Sequence, residues 1–538
     1  MTVNKSKKKR VAPNYNPYPS GVYSSFEAKS IGSVFLLKPL LDSLGLKELI
    51  DEICPLDSNR AEVSVGETCV LAVLNRLHSP QPLYRLEEWA NNISTFDLYG
   101  IPHKLFNESK VGRTLETLAA NMDAIDFALL SLLVTKYDIK PSMCLWDSTS
   151  YYFEGKYSIS ELLRNGYSRD GHPECKQVNI GLCVDAESGV PLQYKLAPGN
   201  TADVEMVVDH LECLKTNLQK LNLPDFIAVT DRALTSIDNI FALENNDDRI
   251  QFIAPASSDT IYLDLISTVK ETDFQRFHYR DMIFKVAERG ILIRREKNKA
   301  EKEYKWFRAI VVYSPTKFDV DRQKRNKALD KIDTWISDLL ARKINVRKYK
   351  QKTYVEKMFE AQFKGFNSKY KKAYTLTITG ADGSLTATVE KDDSVIDALK
   401  EYDGKYVLLS NIFKAEFDPI TLFKHSRRRT DIEIRMRYLK HQIKVRPIFL
   451  EKDERIVGLT IVTNIALTVF CLLEELIRRA GMNISARELL LNFSQISLTK
   501  AEHSDGTYVN NVENALPYHY KTLEELGLMG GDYKNPYR

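Results

Sequence analysis

Between Met143 and Ala254 the chain alternates short apolar runs with helical stretches in an order that dictates a mixed sheet. Met143-Cys144-Leu145-Trp146-Asp147-Ser148-Thr149-Ser150-Tyr151-Tyr152-Phe153 is rich in strand formers. Lys176 to Val184 and Val190 to Leu196 read as two further strands joined by the turn Glu187-Ser188-Gly189, so the three suggest an antiparallel meander. Pro198-Gly199-Asn200-Thr201 then interrupts the strands, and Thr201 is placed to cap a helix through about Leu221, which Pro224 stops. Phe226-Ile227-Ala228-Val229-Thr230-Asp231 is a short apolar strand ending in an acid; a helix over Thr235–Glu244 and a strand over Gln251–Ala254 follow. The order β-β-β-α-β-α-β predicts an α/β fold with a mixed sheet, carrying Asp147 within its first strand and Asp231 at the end of its fourth.

The flanks differ in texture. Residues 1–25 form a polar, basic tail with Pro13, Pro17 and Pro19. Residues 26–140 read as a helical domain: Val34, Leu37, Leu40, Leu41 and Leu44 recur at helix spacing, with Pro39 marking a first turn. This domain is either a DNA-binding unit or a bundle that only packs on the next domain; pattern does not decide between them. After a first core part over 141–256, residues 257–410 look foreign, with short strands at Phe284–Val286, Ile291–Ile293 and Ile310–Val312 and a charged helix over Asp321–Lys343. A hairpin follows, Tyr374–Thr379 with Leu385–Val389, and Tyr406–Leu409 closes what reads as one inserted domain. A second core part over 411–484 holds a helix with Glu433 and then a very apolar one at about 456–479; residues 485–538 are mixed. Ile456–Leu473 is greasy, but Thr460, Thr463, Asn464 and Thr468 interrupt it, which favours a helix buried in protein over a membrane span.

The 538 residues are 43% apolar, enough for several domains, and the net charge of +4 restricts any nucleic-acid binding to local clusters. Seven scattered cysteines lack any C-x-x-C pair and read as buried free thiols in a reducing compartment rather than zinc ligands or disulfides. There is no signal-peptide pattern and no phosphate-cradling glycine loop, so no nucleotide cofactor is expected.

Three carboxylates meeting from different elements suit phosphodiester chemistry. In-line displacement needs charge stabilisation on both the attacking and the leaving oxygen, which two metal ions about 3.5–4 Å apart supply. Mg²⁺ takes oxygen ligands and few of them from protein. Asp147 and Asp231 can meet if their strands are neighbours, and Glu433 can join them from a helix packed on the sheet. Arg429, Glu433 and Lys440, at −4, 0 and +7, share one helical stripe beside the apolar stripe Ile432, Met436, Leu439 and Ile443. Arg427, Arg428, Arg429, Arg435, Arg437, Lys444 and Arg446 make this the most basic stretch of the core. Each acid also has an ordinary reading: Asp147 as a strand-end acid, Asp231 in a loop pair with Arg232, Glu433 paired with Arg429 or Arg437.

These residues resemble the prokaryotic insertion-sequence transposases that carry an Asp-Asp-Glu triad on an RNase H-like core. The resemblance spans roughly residues 35–480. Its motifs are Trp146-Asp147-Ser148-Thr149 with Tyr152-Phe153-Glu154-Gly155, Gly166-Tyr167-Ser168-Arg169-Asp170, and Lys176-Gln177 leading into Gly181-Leu182. Pro198-Gly199-Asn200-Thr201-Ala202-Asp203, Thr230-Asp231-Arg232-Ala233, and Arg429–Lys440 followed by Val445-Arg446-Pro447-Ile448-Phe449 complete the ordered set. The family implies a β-rich insertion before the third acid, and 433 − 231 = 202 residues leave room for it. It also implies a Tyr-Arg-Glu-Lys signature; Arg429, Glu433 and Lys440 fit, while the tyrosine position is Ser426, which puts that one phosphate contact in doubt.

By resemblance, Asp147, Asp231 and Glu433 hold two Mg²⁺ ions, with Mn²⁺ able to substitute. A homodimer binds terminal inverted repeats, exposes 3′-OH ends and joins them to target DNA, as a cytoplasmic, nucleoid-associated enzyme without membrane attachment. Arg429, Lys440, Arg437, Arg428 and Lys176 are the expected DNA contacts. Trp306 is a candidate for stacking on a flipped base, with Trp335 the weaker alternative, and a packing role is open to both. His172 and the run Lys324, Arg325, Lys327, Lys331 could also approach DNA, or simply be solvated. The rival functions are an RNase H-like nuclease without strand transfer and an inactive, transposon-derived DNA-binding protein.

Overall fold

The computed structural model describes residues 22–55, 62–155, 157, 160–168, 171–244, 249–257, 260–296, 301–413, 416–441, 450 and 452–529. Most of the basic tail, Arg169-Asp170, Lys444, and the motif from Val445 to Phe449 lie outside them.

A strand, β1 (Tyr23–Ser30), precedes seven helices: α1 (Val34–Leu44), α2 (Leu46–Ile53), α3 (Val65–His78), α4 (Leu86–Asn92), α5 (Thr95–Tyr99), α6 (Glu108–Ala120) and α7 (Met122–Tyr137). Ser64 and Glu67 form a reciprocal capping box that starts α3. Pro39 lies inside α1, not in its first turn; the helix begins at Val34 because the apolar face from Val34 onward is buried, and packing outweighs one missing N–H. Strand β1 was not expected. Its side chains are mostly exposed, so it carries no apolar alternation, and it is held by backbone pairing to a strand near the other end of the chain.

The mixed-sheet pattern follows as β2 (Met143–Phe153), β3 (Lys176–Asp185), β4 (Pro191–Pro198), α8 (Asp203–Lys220), β5 (Ile227–Val229), α9 (Ile237–Leu243) and β6 (Gln251–Pro255). Strands β2, β3 and β4 are antiparallel neighbours, while β5 lies parallel to β2 and β6 parallel to β5. The spatial order β4-β3-β2-β5-β6 is a mixed sheet, as the order of elements in the sequence predicts. Thr201 does not cap α8. Ala202 stands at that position, and Asp203 and Glu205 in the first turn complement the helix N-terminus instead.

Residues beyond β6 comprise α10 (Thr260–Ser267), β7 (Gln275–Tyr279), β8 (Met282–Glu296), β9 (Lys302–Tyr313), α11 (Pro315–Asp338), α12 (Lys352–Ala361), β10 (Tyr374–Thr379), β11 (Thr386–Lys391), α13 (Asp393–Lys400) and β12 (Lys405–Ser410). This stretch is not one body set apart from the core. Strand β12 pairs with both β6 and β9, so the central sheet runs on as β6-β12-β9-β8-β7 to nine strands. Within it, α11 to α13 and the β10–β11 hairpin have cores of their own, around Ile332, Phe359 and Tyr370 and around Leu339, Val355 and Ile378.

The chain closes with α14 (Pro419–Arg427), α15 (Arg429–His441), α16 (Asp453–Arg479), α17 (Ala486–Asn492), β13 (Ser497–His503), β14 (Tyr508–Glu513) and α18 (Pro517–Glu525). Helix α16 is long and apolar enough to cross a membrane, yet 94% of its apolar stretch is buried inside the protein. It packs on α6, α3, α15 and β4. Gly458 permits the closest approach, because a Cβ there would overlap the backbone of Leu115 in α6. Thus α16 joins the N-terminal helices to the sheet and gives α15 a floor, to which Arg435 is tied by an ion pair with Glu474.

Candidate active site

Alternation along β2 sorts its side chains onto two faces. On one face the Trp146 indole Nε1 donates to Nδ1 of His210 in α8 at 3.0 Å, and the Ser148 hydroxyl donates to Asp203 at 2.6 Å. On the other, the Tyr151 hydroxyl donates to the Leu439 carbonyl of α15 at 3.4 Å. Asp147 shares the Tyr151 face, and its Oδ1 accepts from the Ser148 amide at 2.9 Å. The parallel register pairs Leu145 with Val229, so Asp147 and Asp231 each lie two residues beyond the last pair of that ladder.

Asp231 follows β5, where its Oδ1 accepts from the Ala233 amide at 2.8 Å and caps a short 3₁₀ turn over Arg232–Thr235. Its other carboxylate oxygen makes no hydrogen bond among the described residues. Glu433 stands on α15, which docks through buried Ile432, Met436 and Leu439 as the apolar stripe predicts. The Glu433 side chain is 54% exposed, with Arg429 one turn back at a loose 3.7 Å.

Asp231 and Glu433 line one open cleft of about 490 Å³. Its walls also carry Arg232, Lys317, Arg427 and Arg429, with Ser426, Thr430 and Tyr406. Burial pushes the Tyr406 phenol up to about 12, against the opposing pull of Arg427 beside it, so it stays a hydrogen-bond donor at neutral pH. An all-oxygen set of three carboxylates, each from a different element and two opening on one solvent-reached cleft, fits hard divalent cations that keep part of their water. Asp147, Asp231 and Glu433 are the residues that would hold them.

The family model described as a transposase DDE domain matches residues 140–469. The chain belongs to this transposase family. Residues 26–127 match a domain of unknown function (DUF4277). Among curated proteins no sequence matches. Among solved structures, the piggyBac transposase synaptic complex with hairpin DNA is similar at 9% identity and a TM-score of 0.37, over 88% of this chain and 83% of that one.

In this transposase-family chain the structure gathers only some of the residues expected at the site. Arg429 lines the cleft. Arg428 and Arg437 are exposed on α14–α15 outside it, and Lys440 is half-buried about 10 Å along the helix from Glu433. Lys176 pairs with Phe153 at the far end of β2, about 20 Å along the strand from Asp147, where its ammonium donates to the Tyr157 carbonyl at 2.5 Å. Trp306 is 64% exposed but sits at the other end of the sheet. Leu408 in the cleft pairs with Ile310, and β9 runs so that Trp306 lies four residues, about 13 Å, along the strand from Ile310 on the side away from the cleft. Sequence separation cannot reveal that direction. Trp335 packs among the α11–α13 apolar groups.

His172 stacks on Tyr152 with ring centroids 4.3 Å apart and comes together with Glu174 and Cys175, all ligand atoms within 4.8 Å. All seven cysteines are free thiols as expected, but Cys175, only partly buried, and Cys213, exposed, depart from the reading of the cysteines as buried. Both lie where polar loop or helix-surface residues flank the cysteine. Arg325 is buried in an ion pair with Asp403 and does not face solvent, whereas Lys324, Lys327 and Lys331 do. Lys317 and Tyr406 were missed in the sequence reading. Nothing local marks them, because they reach the cleft only through the β6–β12–β9 pairing. Arg427 was visible as part of a basic run, without a position.

Proposed function

We propose that this protein cuts the ends of a mobile DNA element and joins them to target DNA, with Asp147, Asp231 and Glu433 as its catalytic carboxylates. The observation that supports the reading is that Asp231 and Glu433, from different elements, line one cleft, while Asp147 stands on β2, the strand paired in parallel with β5. Two Mg²⁺ ions, or Mn²⁺ in their place, would polarise the scissile phosphate and promote ionisation of the attacking water or 3′-hydroxyl.

The chain's own groups do the rest. Asp147 is held by the β2 ladder and Asp231 by its turn, so the two carboxylates are placed before any ligand arrives. Glu433 and Arg429 are one turn apart, which lets the guanidinium orient the carboxylate and contact a phosphate oxygen. Arg232 lies next to Asp231 on the same wall and offsets charge developing on the phosphate. Arg428, Arg437 and Lys440 track the DNA backbone outside the cleft. The active form is a homodimer on paired terminal repeats, acting on nucleoid DNA in the cytoplasm.

The test is incubation of purified protein with labelled duplex from the DNA flanking its coding sequence, with and without Mg²⁺. Mg²⁺-dependent nicks at fixed positions, together with products joined to a second duplex, are expected. Cleavage without joined products would establish the nuclease reading instead, and binding without cleavage the inactive one.

A further inference from the structure

We propose that Lys317, with Arg427 and Tyr406, forms a phosphate subsite on the inserted side of the cleft, which takes a phosphodiester of the DNA strand being cut. The inference rests on the reading of the cleft as a DNA-cutting site, and adds a binding element that the acid-bearing part of the sheet does not contain.

The cleft is lined by four cationic side chains, Arg232, Lys317, Arg427 and Arg429, against two carboxylates, Asp231 and Glu433. Its ionisable lining therefore favours an anion even before any divalent ion enters. Arg232 and Arg429 stand beside the two acids in the chain. Lys317 and Tyr406 come from the other wall, built by α11 and β12. Lys317 lies in the first turn of the 24-residue α11, capped by Ser314, so the positive end of that helix meets the same wall. Tyr406 remains a neutral phenol with Arg427 at its side. The Lys317 ammonium and Tyr406 hydroxyl of that wall, with the Arg427 guanidinium of α14 beside Tyr406, match the acceptor oxygens of a phosphodiester.

Lys317 has a partner that it can give up. Its Nζ lies 2.5 Å from Oδ2 of Asp321, and that same oxygen accepts the Gly404 amide at 3.0 Å. When the lysine turns to a phosphate, the Asp321 carboxylate keeps a backbone donor and is not left unpaired. Both side chains of the pair are partly exposed, 35% and 24%, so the exchange carries little desolvation. Lys317 thus passes from Asp321 to DNA as the cleft fills.

The test measures binding of the full-length protein to a fluorescein-labelled flanking duplex in EDTA, by anisotropy across a salt series. Lys317→Ala should flatten the slope of log K against log salt by about 0.9, one phosphate contact. Lys317→Arg should restore the slope, and Asp321→Asn, which frees the lysine, should tighten binding at low salt. A Lys317→Ala slope equal to wild type overturns the subsite. So does Asp321→Asn binding as weakly as Lys317→Ala, since the pair would then serve only to hold α11. If wild type itself shows no salt-dependent binding to the duplex, it is the DNA-cutting reading of the cleft that fails.

Discussion

The two faces of β2 carry polar groups of opposite kinds. Toward α8, Trp146 and His210 are fully buried and bonded to each other, and the imidazole is held neutral, its pKa lowered to about 3 chiefly by burial. Toward α15, Asp147 is half-buried, and Tyr151 on the same face reaches the Leu439 carbonyl of that helix. One face commits its polar atoms to holding the strand, and the other presents the acid that the proposed function uses. If that proposal holds, substitutions one position apart should have separable effects on stability and on cleavage.

The largest effect that would sharpen this contrast is on the open face. Asp147→Asn, Asp231→Asn and Glu433→Gln should each lower Mg²⁺-dependent cleavage by on the order of 10²–10³-fold or more, with thermal unfolding little changed. A variant that keeps near-full cleavage removes that acid from the site.

One residue away, Trp146→Phe should do the reverse. It leaves His210 Nδ1 without its donor and opens space in a closed core, at about 2–4 kcal/mol. Calorimetry should record a lower Tm, while the folded fraction retains its cleavage rate; a large rate loss at full stability would break the division between the faces.

The smallest effect lies in pH. His210 binds its proton more weakly folded than unfolded, so unfolding takes up a proton between about pH 6.5 and about 3. The stability associated with a neutral His210 is complete above the unfolded value and is lost as pH falls through that window. His210→Gln should therefore flatten the acid limb of a denaturation series over that range. An unchanged limb would mean that the ring is not held neutral in the fold.

Much of the core was legible because local signals and global order agreed. The β-β-β-α-β-α-β pattern, the acid in β2, the acid after β5 and the apolar stripe of α15 all follow from periodicities that a linear chain displays. The burial of α16 was legible too, since its threonines and asparagine argue against lipid. Strand β1 was not, because an edge held by backbone bonds leaves no side-chain pattern. The stretch 257–410 misled for a related reason: its texture changes, but sheet membership is decided by which backbone edge is open, and β6 offered one to β12.

What the sequence by itself determined is most of the core elements and where Asp147, Asp231 and Glu433 fall on them, because side-chain period and residue chemistry are local properties. What only the tertiary structure decided is the company those acids keep. Lys317 and Tyr406 entered the cleft, and Trp306 was carried away from it, because strand direction sets which end of β12, and through it of β9, lies level with the C-terminal end of β6. That direction is a property of pairing between distant segments, fixed by hydrogen bonds that no single stretch of chain contains.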